Sequence, residues 1–293
     1  QNQSHFKRLT REWFVSNLKI SNMIVICLLT LCLVIIQNRN NTAFSQSNFE
    51  TKFDPIHIEA NEGIEWLSDE KVYIARGEAT AKQNNFQLKS DVIKAHYRET
   101  QTSDTEIYRL EAIREVIVLS SNRIAYGDYG VYDLDNSVTT LTGKNLRLKT
   151  ALETIKARKS LEYWDKKRLA IAKGNATAQR GEKQVRADTL SVYFSKTKDE
   201  SLTANRIEAV GNVKISTPNE VAVGDEAVYY IEKELVTLLG HVKITRGKSQ
   251  LNGSIAEVNL KTGRSRLLSK SGLDGNQKVR GLFTRDVKQP EKK

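Results

Sequence analysis

The nine residues Val236-Thr-Leu-Leu-Gly-His-Val-Lys-Ile244 restrict what this chain can fold into more than any other stretch. Val236, Leu238, Gly240, Val242 and Ile244 share one parity, and Thr237, His241 and Lys243 share the other, with Leu239 the one apolar residue among them. A period of two puts the two sets on opposite faces of a β-strand. The pattern returns as Ile207, Ala209, Gly211, Val213, Ile215, as Ala170, Ala172, Gly174, Ala176, Ala178, and as Tyr73, Ala75, Gly77, Ala79, Ala81. Glycine inside a strand marks a bend, a bulge or a close approach. The chain therefore repeats one unit, a bent strand with a single apolar face.

The central glycines stand at 77, 143, 174, 211 and 240, at spacings of 66, 31, 37 and 29, so a divergent copy is expected inside the first interval. In the Leu141-Thr-Gly143 copy the later apolar residues, Leu146 and Leu148, are shifted by one, which predicts a bulge there. A second signature runs from a small residue, often Asp, to a tyrosine: Asp91 to Tyr97, Asp128 to Tyr132, Asp188 to Tyr193, Asp225 to Tyr229. Recurring with the repeat, these aspartates read as turn or strand-start residues rather than as an acid–base set. Ile58-Glu-Ala60 is echoed by Leu110-Glu-Ala112 and Ile207-Glu-Ala209, as if one short element opened three blocks. Pro55, Pro218 and Pro290 all avoid the alternating runs. No segment from 55 to 268 keeps a 3.6-residue period. A repeat of two or three strands reads as a repetitive antiparallel all-β roll.

Four regions follow. Residues 1–45 are basic, then apolar from Met23 to Ile36 except for Thr30, and end on Ala43 and Ser45. This describes a secretory signal cleaved after Ser45 or a retained membrane anchor. A spanning helix needs about 20 apolar residues, yet Trp13, Phe14, Val15, Leu18 and Ile20 precede the run, and both readings stay open. Residues 46–54 are a linker, 55–268 the β-domain, and 269–293 a basic tail expected to be disordered.

The net charge of +11 is concentrated at the ends and leaves the body only slightly basic. That argues against a nucleic-acid face, which needs a clustered basic stripe. Cys27 and Cys32 both lie in the leader, so the body has no thiolate ligand or nucleophile. The histidines, His5, His57, His96 and His241, are scattered, and no H-x-x-x-H, G-x-S-x-G or phosphate-loop pattern occurs. No catalytic residue, no metal and no cofactor is expected. What remains is the apolar face. Its many alanines and glycines either leave room between two sheets or let the sheets approach closely. The first and last strands offer edges that could pair with another chain.

Pro55-Ile-His-Ile-Glu-Ala60 with the strand Val72 to Ala81 resembles the start of the mature domain in the OstA-like, or LptA/LptC, superfamily of lipopolysaccharide-transport proteins. Ile207 to Ile215, Val223 to Tyr229, Leu238 to Ile244 and Leu251 to Leu260 with Thr262-Gly263 are similar to its repeats. The resemblance covers 55–268 and is weaker from 98 to 170. It implies an elongated, V-shaped β-jellyroll, with a signal or anchor helix before it, that shields lipid A acyl chains and joins other export-machinery subunits, or further copies, through edge strands. Carried onto this sequence, the inward set is Ile56, Ile58, Val72, Ile74, Phe86, Leu88, Val213, Ile215, Val236, Leu238, Val242 and Ile244. The expectation is a non-catalytic periplasmic carrier without a nucleic-acid partner. Its rivals are an inner-membrane-anchored subunit of the same machinery, a structural β-solenoid with a closed core, and a β-helix polysaccharide enzyme, which the missing carboxylate cluster disfavours.

Overall fold

The computed structural model describes residues 55–101, 105–120, 123–198, 202–259, 261–262, 264–269 and 278–283. The expected signal or anchor and the linker lie outside them. The described chain is all-β and antiparallel, as the alternation requires. Strands β1 (His57–Glu59), β2 (Gly63–Leu67), β3 (Val72–Gln83), β4 (Phe86–Glu99), β5 (Thr105–Ser120) and β6 (Arg123–Asp133) open it. Four short strands follow: β7 (Val138–Thr142), β8 (Arg147–Lys149), β9 (Thr154–Lys156) and β10 (Ser160–Trp164). Then come β11 (Leu169–Arg180), β12 (Lys183–Lys196), β13 (Leu202–Ser216), β14 (Val221–Tyr230), β15 (Leu235–Arg246) and β16 (Ser249–Asn259). Strands β17 (Arg264–Leu268) and β18 (Arg280–Leu282) end it. The last of these lies in the stretch expected to be disordered and pairs with β16.

Each long strand is bent at one shared corner, and β5 and β13 carry a second bulge in arm B, at Tyr108 and Asn205. The register slips between Arg76 and Ala79 in β3, Ile113 and Val116 in β5, Lys173 and Ala176 in β11, Val210 and Val213 in β13, and Leu239 and Val242 in β15. An extra residue on one strand of a pair bends that strand and raises its twist. The bend divides every strand into two arms. Arm A includes 79–83 of β3 and 242–246 of β15; arm B includes 72–76 and 235–239. Short strands work in pairs: β1 lies on arm A of β3 and β2 on its arm B. The pairs β7 with β8, β9 with β10 and β17 with β18 behave likewise. The eighteen strands thus make a meander of fourteen bent layers, each beside its sequence neighbour.

Two consecutive left-handed residues build the corner. In β15 they are Gly240 (φ 71°) and His241 (φ 43°). A Cβ at 240 would come within 2.6 Å of the Asp225 Cγ on β14, so the position needs glycine twice over. The divergent copy expected between 77 and 143 is Arg114-Glu115, whose φ angles of 63° and 49° make the same corner without glycine. Arg114 is held by Asp91 on β4, with Nε 2.7 Å from Oδ2.

This corrects the reading of the aspartates as turn or strand-start residues: they sit mid-strand, opposite the corner. Asp128 accepts from the Lys144 N–H at 2.7 Å, Asp188 from Asn212 Nδ2 at 2.7 Å, and Asp225 meets His241 Nδ1 at 2.7 Å. At Gly143 the expected bulge is a complete break, where β7 ends and β8 begins after the corner. The I-E-A echo is also not one structural element, because Glu59 lies on arm A whereas Glu111 and Glu208 lie on arm B.

Candidate functional site

The inner faces of the two arms meet in one apolar layer. In strands carrying the left-handed pair, parity is kept through the corner: Val236 and Leu238 on arm B, then Val242 on arm A, are all buried. In the facing strands parity reverses there. Ala222 and Gly224 point inward on β14, Asp225 and Glu226 both point out, and Ala227 and Tyr229 point inward again. On β12, Val185 and Ala187 give way to Leu190, and on β4, Leu88 and Ser90 give way to Ile93, Ala95 and Tyr97. Each corner thus turns both arms of every strand toward one interior.

Of the residues expected inside, Leu88, Val213, Ile215, Val236, Leu238 and Val242 are buried in this core. Ile56, Ile58, Phe86 and Ile244 are half-buried against it. Val72 and Ile74 are not inside. On β3 the inner parity belongs to Tyr73, Ala75, Ala79 and Ala81, so Val72 and Ile74 face outward and form a separate cluster with Val92, Leu67 and Ile113. Sequence reading missed Ile93, Leu110, Val116 and Tyr229, all fully buried. For Ile93 and Tyr229 the available signal was the aspartate, Asp91 or Asp225, after which the inward parity of the strand reverses; Leu110 and Val116 lie on β5, whose corner carries neither glycine nor aspartate.

The question that alanine content left open is answered by packing. Ala79, Ala112 and Ala176 are at 0% exposure, in one buried cluster with residues of both arms. A crevice lined by Ile56, Ala81, Lys82, Gln83, Phe86, Leu110 and Tyr132 is too narrow for a water molecule. The arms also meet toward their tips: the Phe86 ring lies 5.2 Å from Tyr132, and the Arg123 guanidinium 5.8 Å from the ring of Phe194. The interior is filled with the protein's own side chains.

At the ends this apolar face comes into the open. On edge strand β2, Ile64 and Trp66 have the inner parity, opposite Ala75 and Tyr73, and are 51% and 62% exposed. Trp66 stacks on Tyr73 at 5.8 Å and donates from Nε1 to the Tyr97 hydroxyl at 2.8 Å. At the other end the inner face reaches Leu267, which lies opposite Ala256 and is half-buried, whereas the 63% exposed Leu282 lies opposite Gln250 on the outer face.

Two carboxyls, one buried (Glu153) and one half-buried (Glu220), sit in arm A turns of the same design. Thr150 and Thr217 each accept, through Oγ1, the N–H of the glutamate three residues on, at 3.1 Å in both turns. Burial pushes the carboxyls of Glu153 and Glu220 up to about 7, against the opposing pull of Arg180 and Arg246. Among the described residues no three His, Cys, Asp or Glu side chains gather as a metal site, and no helix is long and apolar enough to cross a membrane.

Residues 154–264 match the family described as LptA/(LptD N-terminal domain) LPS transport protein. The match covers the part of the chain where the Gly–Asp corner repeats most regularly, and it agrees with the resemblance read from the residues. Among solved structures the chain is similar to LptH from Pseudomonas aeruginosa, described as the LptA-homologous periplasmic component of the conserved lipopolysaccharide transport device. The two are 15% identical, the similarity covers 45% of this chain and 95% of LptH, and the TM-score is 0.38. No curated protein sequence matches the chain.

Proposed function

We propose that this chain, LptA-like over residues 154–264, is a non-catalytic periplasmic carrier that holds lipopolysaccharide acyl chains between its two arms and passes them toward the outer membrane. The observation that carries the reading is the single apolar inner face, continuous from the exposed Ile64 and Trp66 on β2 at one end to Leu267 on β17 at the other. Because the arms touch, binding requires them to part, and acyl chains then replace arm-to-arm contact. Each methylene withdrawn from water contributes about 0.8 kcal/mol, while the alanine-lined contacts given up are small. The exposed edges of β2 and of β17 with β18 are where another subunit, or a second copy, would add a strand. No covalent step is involved and no cofactor is needed. The driving force comes from elsewhere in the export machinery.

Photocrosslinking tests the reading. A probe replacing Val242, which points inward, captures lipopolysaccharide, and a probe replacing the outward Lys243 does not. Equal labelling at both positions refutes an interior site. The closed interior favours a second reading, a structural β-solenoid without lipid, and absence of capture at both Val242 and Val213 would establish that one. Sequencing the mature N-terminus separates a soluble carrier from an inner-membrane-anchored subunit.

A further inference from the structure

The outer faces of the two arms carry opposite arrangements of charge. Across arm B, the cross-strand row through Glu111, Glu162, Glu208 and Glu257 is neutralised residue by residue. Arg109, Lys173, Arg206 and Arg266 stand 2.9, 2.8, 3.0 and 2.7 Å from those carboxylates. Across arm A, successive Cα partners bring Arg147, Lys156, Arg186, Lys214, Lys243 and Arg280 into one line. Arg147 faces Lys156 directly, and Arg186 faces Lys214. Like charges directly opposite one another destabilise a sheet, so the fold gains nothing from this line. Among the described residues the side chains of Lys156, Lys214 and Lys243 make no hydrogen bond or ion pair, and all three are exposed. The nearest acids in the central strands, Asp188 and Asp225, are engaged at the corner by Asn212 and His241.

We propose that this line is a binding stripe for an anionic oligosaccharide bearing phosphate or carboxylate groups. The next row on the same face, toward the arm A tips, contains Thr154, Gln179, Gln184, Ser216, Thr245 and Gln250, a carpet of hydroxyls and amides suited to sugar hydroxyls. Strands about 4.8 Å apart set the cations at intervals of one or two strands. A twist of roughly 20° per strand turns the stripe well away from any one plane between β8 and β15, so a flexible polymer can follow it where a flat bilayer cannot. The aromatic ring in the row, Tyr126, lies beneath the Arg147 guanidinium at 4.1 Å, leaving no open platform for stacking nucleobases. The identity of the sugar rests on the carrier reading above: it is the phosphorylated saccharide of the lipid whose acyl chains lie inside.

The test uses the full chain and the deacylated, phosphorylated oligosaccharide released from lipopolysaccharide, titrated at low and at high salt. The wild type binds it, more weakly at high salt. The triple variant Lys156→Gln, Lys214→Gln, Lys243→Gln loses on the order of a hundredfold in affinity, about fivefold per cation removed, the scale of a lysine against an anionic surface. Lys94→Gln, on the outer face of arm B, leaves affinity unchanged. The thermal midpoint of the triple variant stays at or above that of the wild type, since repulsion has been removed; a fall would show that the lysines serve the fold and would overturn the proposal. So would unchanged binding by the triple variant, or equal binding of phosphatase-treated sugar. Tighter binding of a single-stranded oligonucleotide, or of sugar-free anionic phospholipid vesicles, with the same dependence on the three lysines would reassign the stripe to those partners. The probe has no acyl chain, so failure here leaves capture at Val242 untouched, and failure of capture leaves the sugar titration untouched.

Discussion

Replacing Gly240 by alanine tests the corner that makes this interior exist. Two costs can be read from the structure. The backbone is left-handed at φ 71°, which costs an alanine about 1–2 kcal/mol. The new Cβ would also stand 2.6 Å from the Asp225 Cγ, an overpacking worth roughly 1–3 kcal/mol. Gly240→Ala in the wild type should therefore lose about 2–5 kcal/mol. In an Asp225→Gly background the overlap with the Asp225 side chain, its Cβ at 2.8 Å included, disappears and only the backbone cost remains, so the same substitution should lose about 1–2 kcal/mol. The coupling between the sites is then about 1–3 kcal/mol, within the range expected of touching residues. Urea denaturation of the four proteins gives the cycle, provided the slope with denaturant is common to all four. Equal losses in the two backgrounds would refute the reasoning, because the glycine would then be required by backbone alone.

Arg114→Gly should be close to neutral or slightly stabilising in the same assay, since it relieves φ 63° while giving up an exposed ion pair to Asp91 that is worth about 0–1 kcal/mol. Val213→Ala and Val72→Ala should both destabilise, because both side chains are buried, but only Val213→Ala should alter lipid capture at Val242. Glu153 has a folded carboxyl raised from 4.5 to about 7, so the stability it contributes is fully present below about pH 4.5 and is lost as pH rises through 7. Glu153→Gln should accordingly melt at or above the wild type at pH 8, with the difference shrinking by pH 4.5; a variant that melts lower at pH 8 would contradict the assignment.

Much of this fold can be read from the chain because its logic is local. Val236 to Ile244 announces a strand, its apolar face and its bend within nine residues, and the copies at 207–215 and 170–178 make the architecture repetitive. The misplacement of Val72 and Ile74 has an equally local cause. They are apolar and alternate, but Tyr73 and Ala75 occupy the inner parity, and burial on the outer face depends on Val92 and Ile113 from neighbouring strands. Parity reversal at Asp188 and Asp225 was present in the sequence but not interpretable without the partner glycine that each aspartate faces.

Alternation, the glycine corner and the absence of a thiolate or clustered histidines in the body are properties of residues and their near neighbours, and the sequence by itself determined them. Whether alanines left a hollow or closed it was decided only when two arms of distant strands came together. The same holds for charge. A body only slightly basic gives no hint that Lys156, Lys214 and Lys243 stand in one line while the glutamates of arm B stand in another. Rows that run across strands are set by register, through turns and bulges, and residues neighbouring in such a row are tens of positions apart in the chain.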